Sequence, residues 1–208
     1  MTNNFLTVTG LHKKWPMKDI DLSFSMEKGS ALALLGPSGC GKTSVLKMIA
    51  GLLECDAGCI MLDGRDISRL LPGKRQVGMV FQDHALFPHL SVEDNIAYGL
   101  VSAGLTRRAA RKEAALWLER FDLDGFGRRR VESLSGGEKQ RVALARTLAV
   151  EPLVVLFDEP LSALDTELRK RLQQELRSRQ RENGYTAIYV THDEEEAAFL
   201  ADRIIRMT

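Results

Sequence analysis

The sequence predicts an α/β fold with a largely parallel sheet and a helical segment inserted into it. Short apolar runs typical of buried strands alternate with stretches of helical periodicity. Through the middle of the chain, over about residues 91–149, the periodicity is helical throughout. Strand–helix alternation is the pattern of a sheet covered by helices. We therefore expect a single domain over 1–208, with its core in 1–84 and 150–208 and a helical subdomain in 85–149.

The first part of the chain supplies most of the predicted strands. Residues 30–35 are a largely apolar run ended by Gly36 and Pro37, as expected of a fully buried strand. Apolar residues then recur at helical spacing, which predicts a helix over 42–53. Predicted strands in this part cover residues 5–8, 20–25, 30–35, 59–62 and 77–81.

Helix starts mark the middle of the chain, and alternation returns in the last third. Ser91, three residues before Asp94, and Thr106, before Arg107, are typical of residues that cap helix N-termini. Thr191 and Glu194 have the spacing of another capping pair. Predicted elements in the last third are strands over 153–157, 186–190 and 203–207 and helices over 166–183 and 193–201.

Composition narrows the classes of function. The 208 residues carry 29 basic and 28 acidic side chains, a net charge of +1 that gives no support for a nucleic-acid-binding surface. No apolar run approaches the ~18 residues of a membrane helix, and the N-terminus lacks a signal-peptide pattern. The three cysteines, Cys40, Cys55 and Cys59, predict neither a disulfide framework nor a zinc site, and we expect reduced thiols in a cytosolic protein.

A phosphate-binding loop is the strongest motif. The run from Gly36 to Thr43 matches G-x-x-x-x-G-K-[ST] between a predicted strand and a predicted helix. Its backbone N–H groups and the helix N-terminus are suited to bind phosphates. We expect Lys42 to reach the β- and γ-phosphates and the Thr43 hydroxyl to bind Mg²⁺. For Cys40 we favour a permissive loop position over a redox switch. The predicted nucleotide-binding residues of this loop are Gly36, Pro37, Ser38, Gly39, Cys40, Gly41, Lys42, Thr43 and Ser44.

Two acidic residues follow a second buried strand. Asp158 and Glu159 end the apolar run 153–157, and ligands of open α/β sheets bind at the carboxyl ends of strands. We expect Asp158 to hold Mg²⁺ through its water shell and Glu159 to deprotonate the attacking water.

A second phosphate contact is predicted at the start of another helix. Ser135 and Glu138 have the spacing of a capping box, which by itself explains a helix start. Gly136 and Gly137 would weaken that start unless a ligand approaches the backbone closely. An anion fits a bare helix N-terminus, and we expect it to be a nucleotide held by a second subunit.

Together these motifs resemble the nucleotide-binding subunits of ATP-binding cassette (ABC) transporters over nearly the whole chain. The run 134–138 resembles the family signature, Gln82 the Q-loop glutamine, 162–165 the D-loop and His192 the switch histidine. The resemblance implies a P-loop NTPase with a RecA-like core, an antiparallel β subdomain and an α-helical subdomain. It also implies a head-to-tail dimer, homo- or heterodimeric, that sandwiches two ATP molecules.

The resemblance also assigns the remaining site residues. His192 would contact the γ-phosphate and act in catalysis with Glu159 and Gln82, and Gln82 would also approach Mg²⁺. Asp165 of the D-loop would contact nucleotide. Trp15 is at the position where an aromatic side chain of the family stacks on adenine. The alternative is a tryptophan of the core or the surface. The segment from Trp15 to Gly36 is also shorter than in many relatives.

The segment after Gln82, residues 83–95, is similar to the same segment in the ATPase subunits of importers for sugars, polyamines, sulfate, ferric iron and thiamine. The resemblance implies integral membrane permease subunits, an external substrate-binding protein and a peripheral location on the cytoplasmic face of the membrane. The larger members have a C-terminal regulatory domain that this sequence lacks, which fits either a natural minimal form or a truncated one.

Three other functions share some of these motifs. An ABC exporter subunit for lipoproteins or peptides shares the same core. An ATPase of the DNA-repair type is disfavoured because the span between Lys42 and Leu134 is too short for a coiled-coil insertion. A non-catalytic cassette is disfavoured by Lys42, Asp158, Glu159 and His192.

Overall fold

Two sheets and six helices form the part of the chain that the computed structural model describes, residues 4–16, 18–161 and 166–208. The strands are β1 (Leu6–Trp15), β2 (Lys18–Met26), β3 (Ala31–Leu35), β4 (Ala57–Leu62), β5 (Arg65–Asp66), β6 (Val77–Val80), β7 (Val154–Asp158), β8 (Thr186–Thr191) and β9 (Arg203–Arg206). The helices are α1 (Lys42–Ala50), α2 (Val92–Ser102), α3 (Arg107–Arg120), α4 (Gly136–Leu148), α5 (Thr166–Asn183) and α6 (Glu194–Leu200). No helix among the described residues has the length and apolarity needed to cross a bilayer.

The larger sheet confirms the predicted α/β class. Its strand order is β6-β7-β8-β3-β9, and β8 runs parallel to both β7 and β3. Every residue of β3, β7 and β8 is buried, as the continuous apolar runs indicate. Because parallel strands end at the same edge of a sheet, the residues that follow β3, β7 and β8 are brought together there.

The smaller sheet is antiparallel, in the order β2-β1-β4-β5. The predicted first strand, 5–8, was too short, because β1 continues to Trp15 through an irregularity between Val8 and Leu11. Gly10 lies in that irregularity with a φ of +54°, and its N–H donates to Ser23 Oγ at 2.7 Å. This bulge interrupts the sequence alternation without ending the strand.

Helix α1 packs into the main apolar cluster, which contains residues from both sheets. Val45, Leu46 and Ile49 are fully buried there, and each such side chain contributes roughly 1.5–3 kcal/mol to stability. The predicted end at residue 53 was wrong, because Gly51 adopts a left-handed φ of +77° and caps the helix after Ala50. A Cβ at Gly51 would lie 2.4 Å from Arg75 Nε, so any other residue would displace the buried Arg75 side chain from its hydrogen bonds.

The helical middle begins its helices where the sequence predicts. Ser91 Oγ accepts the Asp94 N–H at 3.1 Å at the start of α2. Thr106 Oγ1 accepts the Ala109 N–H at 3.3 Å at the start of α3. These caps satisfy backbone donors that a helix start leaves unpaired. Both predicted starts are therefore confirmed.

Contacts within the chain define two compact units. The first comprises Met1–Met79, Leu153–Glu159 and Gln173–Thr208, and the second comprises Val80–Pro152 and Pro160–Leu172. The division predicted from the sequence, with a helical subdomain at 85–149, stays a prediction.

Candidate functional site

The loop between β3 and α1 has the geometry of a phosphate cradle. A Cβ at Gly36 would lie 2.4 Å from the Met207 carbonyl oxygen, and one at Gly41 would lie 2.5 Å from Ile20 Cδ1. Gly41 also has a φ of +113°, so glycine is required at both positions. Helix α1 starts at Lys42 without a side-chain cap, which leaves its first N–H groups available to an anion.

Lys42 is a buried cation whose ammonium is held by backbone carbonyls of the loop. Only 4% of the residue is exposed. Its ammonium donates to the carbonyl oxygens of Gly36 at 2.8 Å and Pro37 at 2.9 Å, and no acidic side chain among the described residues forms an ion pair with it. Because a buried charge is costly unless it is paired, the arrangement calls for an anion at the loop.

Thr43 and Asp158 form an oxygen pair beside Lys42. The Thr43 hydroxyl donates to Asp158 Oδ1 at 2.7 Å. Burial raises the pKa of the Asp158 carboxyl, and the neighbouring Glu159 charge raises it further, although the Thr43 hydrogen bond opposes the shift. Carboxylate and hydroxyl oxygens are the ligands that hard divalent cations prefer, and such a cation would offset the cost of burying Asp158.

Glu159 and His192 face each other at the same sheet edge. His192 Nδ1 lies 3.4 Å from Glu159 Oε2. The Glu159 backbone has a φ of +45°, in a left-handed region that costs a non-glycine residue on the order of 1 kcal/mol. Its N–H donates to the Val190 carbonyl at 3.1 Å, which fixes where the chain turns away from β7. This turn positions a carboxylate beside an imidazole, the pairing that a general base and its orienting group require.

The predicted capping pair before α6 was wrong. Asp193, not Thr191, caps the helix, and its carboxylate accepts the Glu196 N–H at 3.0 Å. The Thr191 hydroxyl instead accepts the Asp193 N–H at 3.0 Å and donates to Glu196 Oε2 at 2.7 Å. Thr191 is still in β8, paired with Leu35, so it cannot take the capping position.

Trp15 lies at the end of β1 and is half-buried. It lines one cavity with Pro16, Lys18 and Ser44. Ser44 belongs to the first turn of α1, so this cavity extends from the indole ring towards the phosphate loop. The remaining predicted loop residues are Pro37, Ser38 and Gly39, which are exposed, and Cys40, which is half-buried.

The start of α4 carries a complete capping box. Ser135 Oγ accepts the Glu138 N–H at 3.3 Å, and the Ser135 N–H donates to the Glu138 carboxylate at 2.7 Å. Gly136 is exposed and Gly137 is buried in the first turn. The capping box predicted from the sequence is confirmed. Ser135 and Gly136 are both exposed at the helix start.

Gln82 is exposed two residues after β6, at the head of a constrained segment. His84 and Ala85 both have left-handed backbones, with φ of +63° and +46°. Arg146 of α4 donates to their carbonyls at 2.9 and 2.6 Å, a role that sequence reasoning missed. The available signal was a basic residue within the apolar face of a predicted helix.

The structure gathers most of the predicted site in the first unit. Predicted residues that lie there are Trp15, Gly36, Pro37, Ser38, Gly39, Cys40, Gly41, Lys42, Thr43, Ser44, Asp158, Glu159 and His192. Gln82, Ser135, Gly136 and Gly137 belong to the second unit. The predicted nucleotide contact Asp165 lies outside the described residues.

Comparison with known proteins gives a consistent picture. Residues 20–162 match the family model described as ABC transporter. The chain is 51% identical over 187 residues to the Fe(3+) ions import ATP-binding protein FbpC 1 of Rhizobium meliloti, an alignment that covers 90% of this chain and 53% of the relative. It is 44% identical over 207 residues to FbpC of Pasteurella multocida, covering 99% and 59%. The chain thus spans little more than half the length of these curated relatives.

A solved structure shares the fold. The dimeric post-hydrolysis state of the ATP-binding cassette MJ0796 bound to ADP and Pi superposes with a TM-score of 0.83 at 30% sequence identity. The superposition covers 98% of this chain and 94% of that one. The fold is therefore the ATP-binding cassette fold, a P-loop core with parallel and antiparallel sheets.

Proposed function

The chain belongs to the ABC transporter family. We propose that it binds and hydrolyses ATP as the motor subunit of a transporter. The observation that carries this proposal is Lys42, a buried ammonium at an uncapped helix start whose hydrogen bonds go to neutral backbone carbonyls. A phosphate at the loop would supply a negative charge for this ammonium to bind. ATP binding by relatives of this chain supports the same assignment.

The side chains at the sheet edge divide the work of hydrolysis. Lys42 and the N–H groups of α1 would hold the phosphates, and the Thr43–Asp158 pair would hold Mg²⁺, which would stabilise the charge of the phosphoryl group. Glu159 accepts the proton of the attacking water at its carboxylate. His192, 3.4 Å from that carboxylate, orients it and contacts the γ-phosphate. In this proposal Gln82 adds a contact to the metal ion and the water.

A second copy or a homologous subunit completes the site. Ser135 and Gly136 are exposed at the start of α4, and neither Gly136 nor Gly137 carries a side chain, which suits a γ-phosphate held by the partner. The MJ0796 structure is dimeric, which supports a nucleotide-bound dimer for this chain. Asp165 is proposed to contact nucleotide in the same assembly.

The relatives' names support the importer branch. Both FbpC proteins are named for Fe(3+) import, so we infer an importer and take ferric iron as the first cargo to test. The motor would work beneath integral membrane permease subunits, at the cytoplasmic face of the membrane, with an external substrate-binding protein delivering the cargo.

The test is hydrolysis and pairing by the purified chain with Mg²⁺ and ATP. Glu159→Gln preserves shape and removes proton acceptance, so turnover should fall roughly 10²–10⁴-fold. ATP-bound dimers should accumulate, since closure is intact while the exit by hydrolysis is blocked. Phosphate release and sedimentation velocity measure the two effects.

A second substitution separates pairing from chemistry. Ser135→Arg in the Glu159→Gln background should abolish the trapped dimer, because a long cation replaces the small hydroxyl at the contact. Ser178→Arg, on the exposed face of α5, is the matched control and should leave the dimer intact. Wild-type turnover in Glu159→Gln, or dimers that Ser135→Arg does not affect, would contradict the proposal.

A further inference from the structure

Lys18 is paired with Trp15 across two antiparallel strands. The two residues are paired at the ends of β1 and β2, so only Pro16 and Met17 connect them. A connection this short restricts the separation of the two side chains. The Lys18 ammonium lies 5.9 Å from the centroid of the Trp15 ring.

The phosphate loop anchors the same ammonium. Lys18 Nζ donates to the Gly39 carbonyl at 2.6 Å. Its stem passes over Gly41, where a Cβ would lie 2.7 Å from Lys18 Cε. An ammonium has three donors, and the Gly39 carbonyl takes one of them. No acidic side chain in the described part of the chain pairs with Lys18, so its charge is available to a ligand.

The cavity beside Lys18 links an aromatic surface to a helix start. Trp15 and Pro16 line one side, and Ser44, in the first turn of α1, lines the other. A ligand with a flat base at Trp15 and phosphates at the loop would have to pass Lys18. Its negative charge would then lie beside a cation that the protein has already positioned.

We propose that Lys18 binds the nucleotide's phosphate chain at the end nearest the nucleobase. It would act as a second cation in addition to Lys42. This inference rests on the proposed function, because it assumes a nucleotide in the loop. It makes Lys18 a determinant of nucleotide affinity, and it distinguishes phosphorylated ligands from the bare nucleoside.

Lys13 offers a matched control. Its ammonium lies 6.0 Å from the same Trp15 ring, nearly the same distance as that of Lys18. However, Lys13 Nζ pairs with Asp56 Oδ1 at 2.6 Å, so its charge is already compensated. A role through contact with the indole would affect both lysines, whereas a role through free charge affects Lys18 alone.

The experiment measures ADP and adenosine binding to the full chain, without hydrolysis. We expect Lys18→Met and Lys18→Gln to weaken ADP binding about five- to tenfold at 0.1 M salt, as removal of one partly screened charged contact predicts. Adenosine binding should be unchanged, and the salt dependence of ADP affinity should become flatter. Lys18→Arg should restore ADP affinity, and Lys13→Met should match wild type. Titration calorimetry gives the ADP constants, and ligand-observed NMR gives those for adenosine.

The outcomes separate the two proposals. If wild-type protein binds ADP and both neutral Lys18 variants bind it equally well, the Lys18 assignment is wrong while the proposed function stands. Equal losses for ADP and adenosine would reassign Lys18 to packing against Trp15 and likewise overturn the inference. If wild-type protein binds no ADP, the proposed function fails first.

Discussion

The two helix N-termini predicted to bind phosphate differ in how they are capped. Helix α1 begins at a left-handed glycine with no side-chain cap, next to a buried lysine and a buried aspartate. Helix α4 begins at Ser135 with both halves of a capping box formed, and Glu138 supplies its own negative charge. The first start leaves its backbone donors without a side-chain cap and buries two charged groups beside them, whereas the second caps its own donors.

This difference shows that groups suited to ligand binding can lower the stability of the ligand-free protein. At α1, uncompensated groups cost stability in the free protein and become favourable only when a phosphate and a cation arrive. At α4 the capping box stabilises the helix start without any ligand, and the nucleotide contact proposed for Ser135 is not needed for the helix to form. Substitutions should therefore separate affinity from stability at α1 and reduce stability at α4.

The largest effect is expected at Lys42. Lys42→Met removes the buried charge, so nucleotide affinity should fall about 10–100-fold, as expected for a lost hydrogen bond to a charged group. The free energy of unfolding without ligand should change little, because the hydrogen bonds lost to the Gly36 and Pro37 carbonyls are offset by removing a buried charge. Calorimetric ADP titration and urea unfolding measure the two quantities. Lys112→Met, at an exposed lysine of α3, is the control and should change neither.

A smaller effect is expected at Asp158, and it is a gain in the stability of the ligand-free protein. Asp158→Asn keeps an oxygen for the Thr43 hydroxyl and removes a buried charge, so it should stabilise the ligand-free protein by on the order of 1 kcal/mol. Thermal unfolding in EDTA measures this gain, and the Mg²⁺ dependence of hydrolysis should weaken in the same variant.

The pH dependence of that gain follows from the raised pKa of Asp158. The folded carboxyl keeps its proton at pH values where the unfolded one has lost it, so wild-type stability falls as pH rises between the two pKa values. The stability difference between Asp158→Asn and wild type should therefore widen over that window, starting near pH 4, and stay constant above it. A difference that shrinks with rising pH would contradict the burial of this charge.

The smallest effect is expected at Glu138. Glu138→Ala removes half of the capping box and should destabilise the protein by about 0.5–1 kcal/mol. The hydrogen bond from the Ser135 N–H lowers the pKa of the Glu138 carboxyl, so this contribution is complete above the unfolded pKa of about 4.3 and fades as pH falls through the lower folded value. Urea unfolding at pH 7 and at low pH measures it. Glu132→Ala, an exposed acid in the preceding turn, should have no comparable effect.

Much of this molecule was predictable because its signals are local. The buried strands follow from continuous apolar runs, and the starts of α2, α3 and α4 follow from Ser91, Thr106 and Ser135 placed before helical periodicity. The end of α1 was missed because Gly51 ends the helix while apolar residues continue beyond it. Thr191 was misassigned because its spacing fits a cap although it belongs to a strand.

The sequence by itself determined the α/β class, the phosphate loop and the capped start of α4, since each depends on residues within one turn or one strand. Only the tertiary structure decided which distant residues meet. Strand order places the ends of β3, β7 and β8 at one edge, and this brings Thr43 to Asp158 and His192 to Glu159. The hairpin likewise places Lys18 between Trp15 and Gly39. Pairing register and the packing of a buried cluster set these distances, and neither is encoded in a short run of residues.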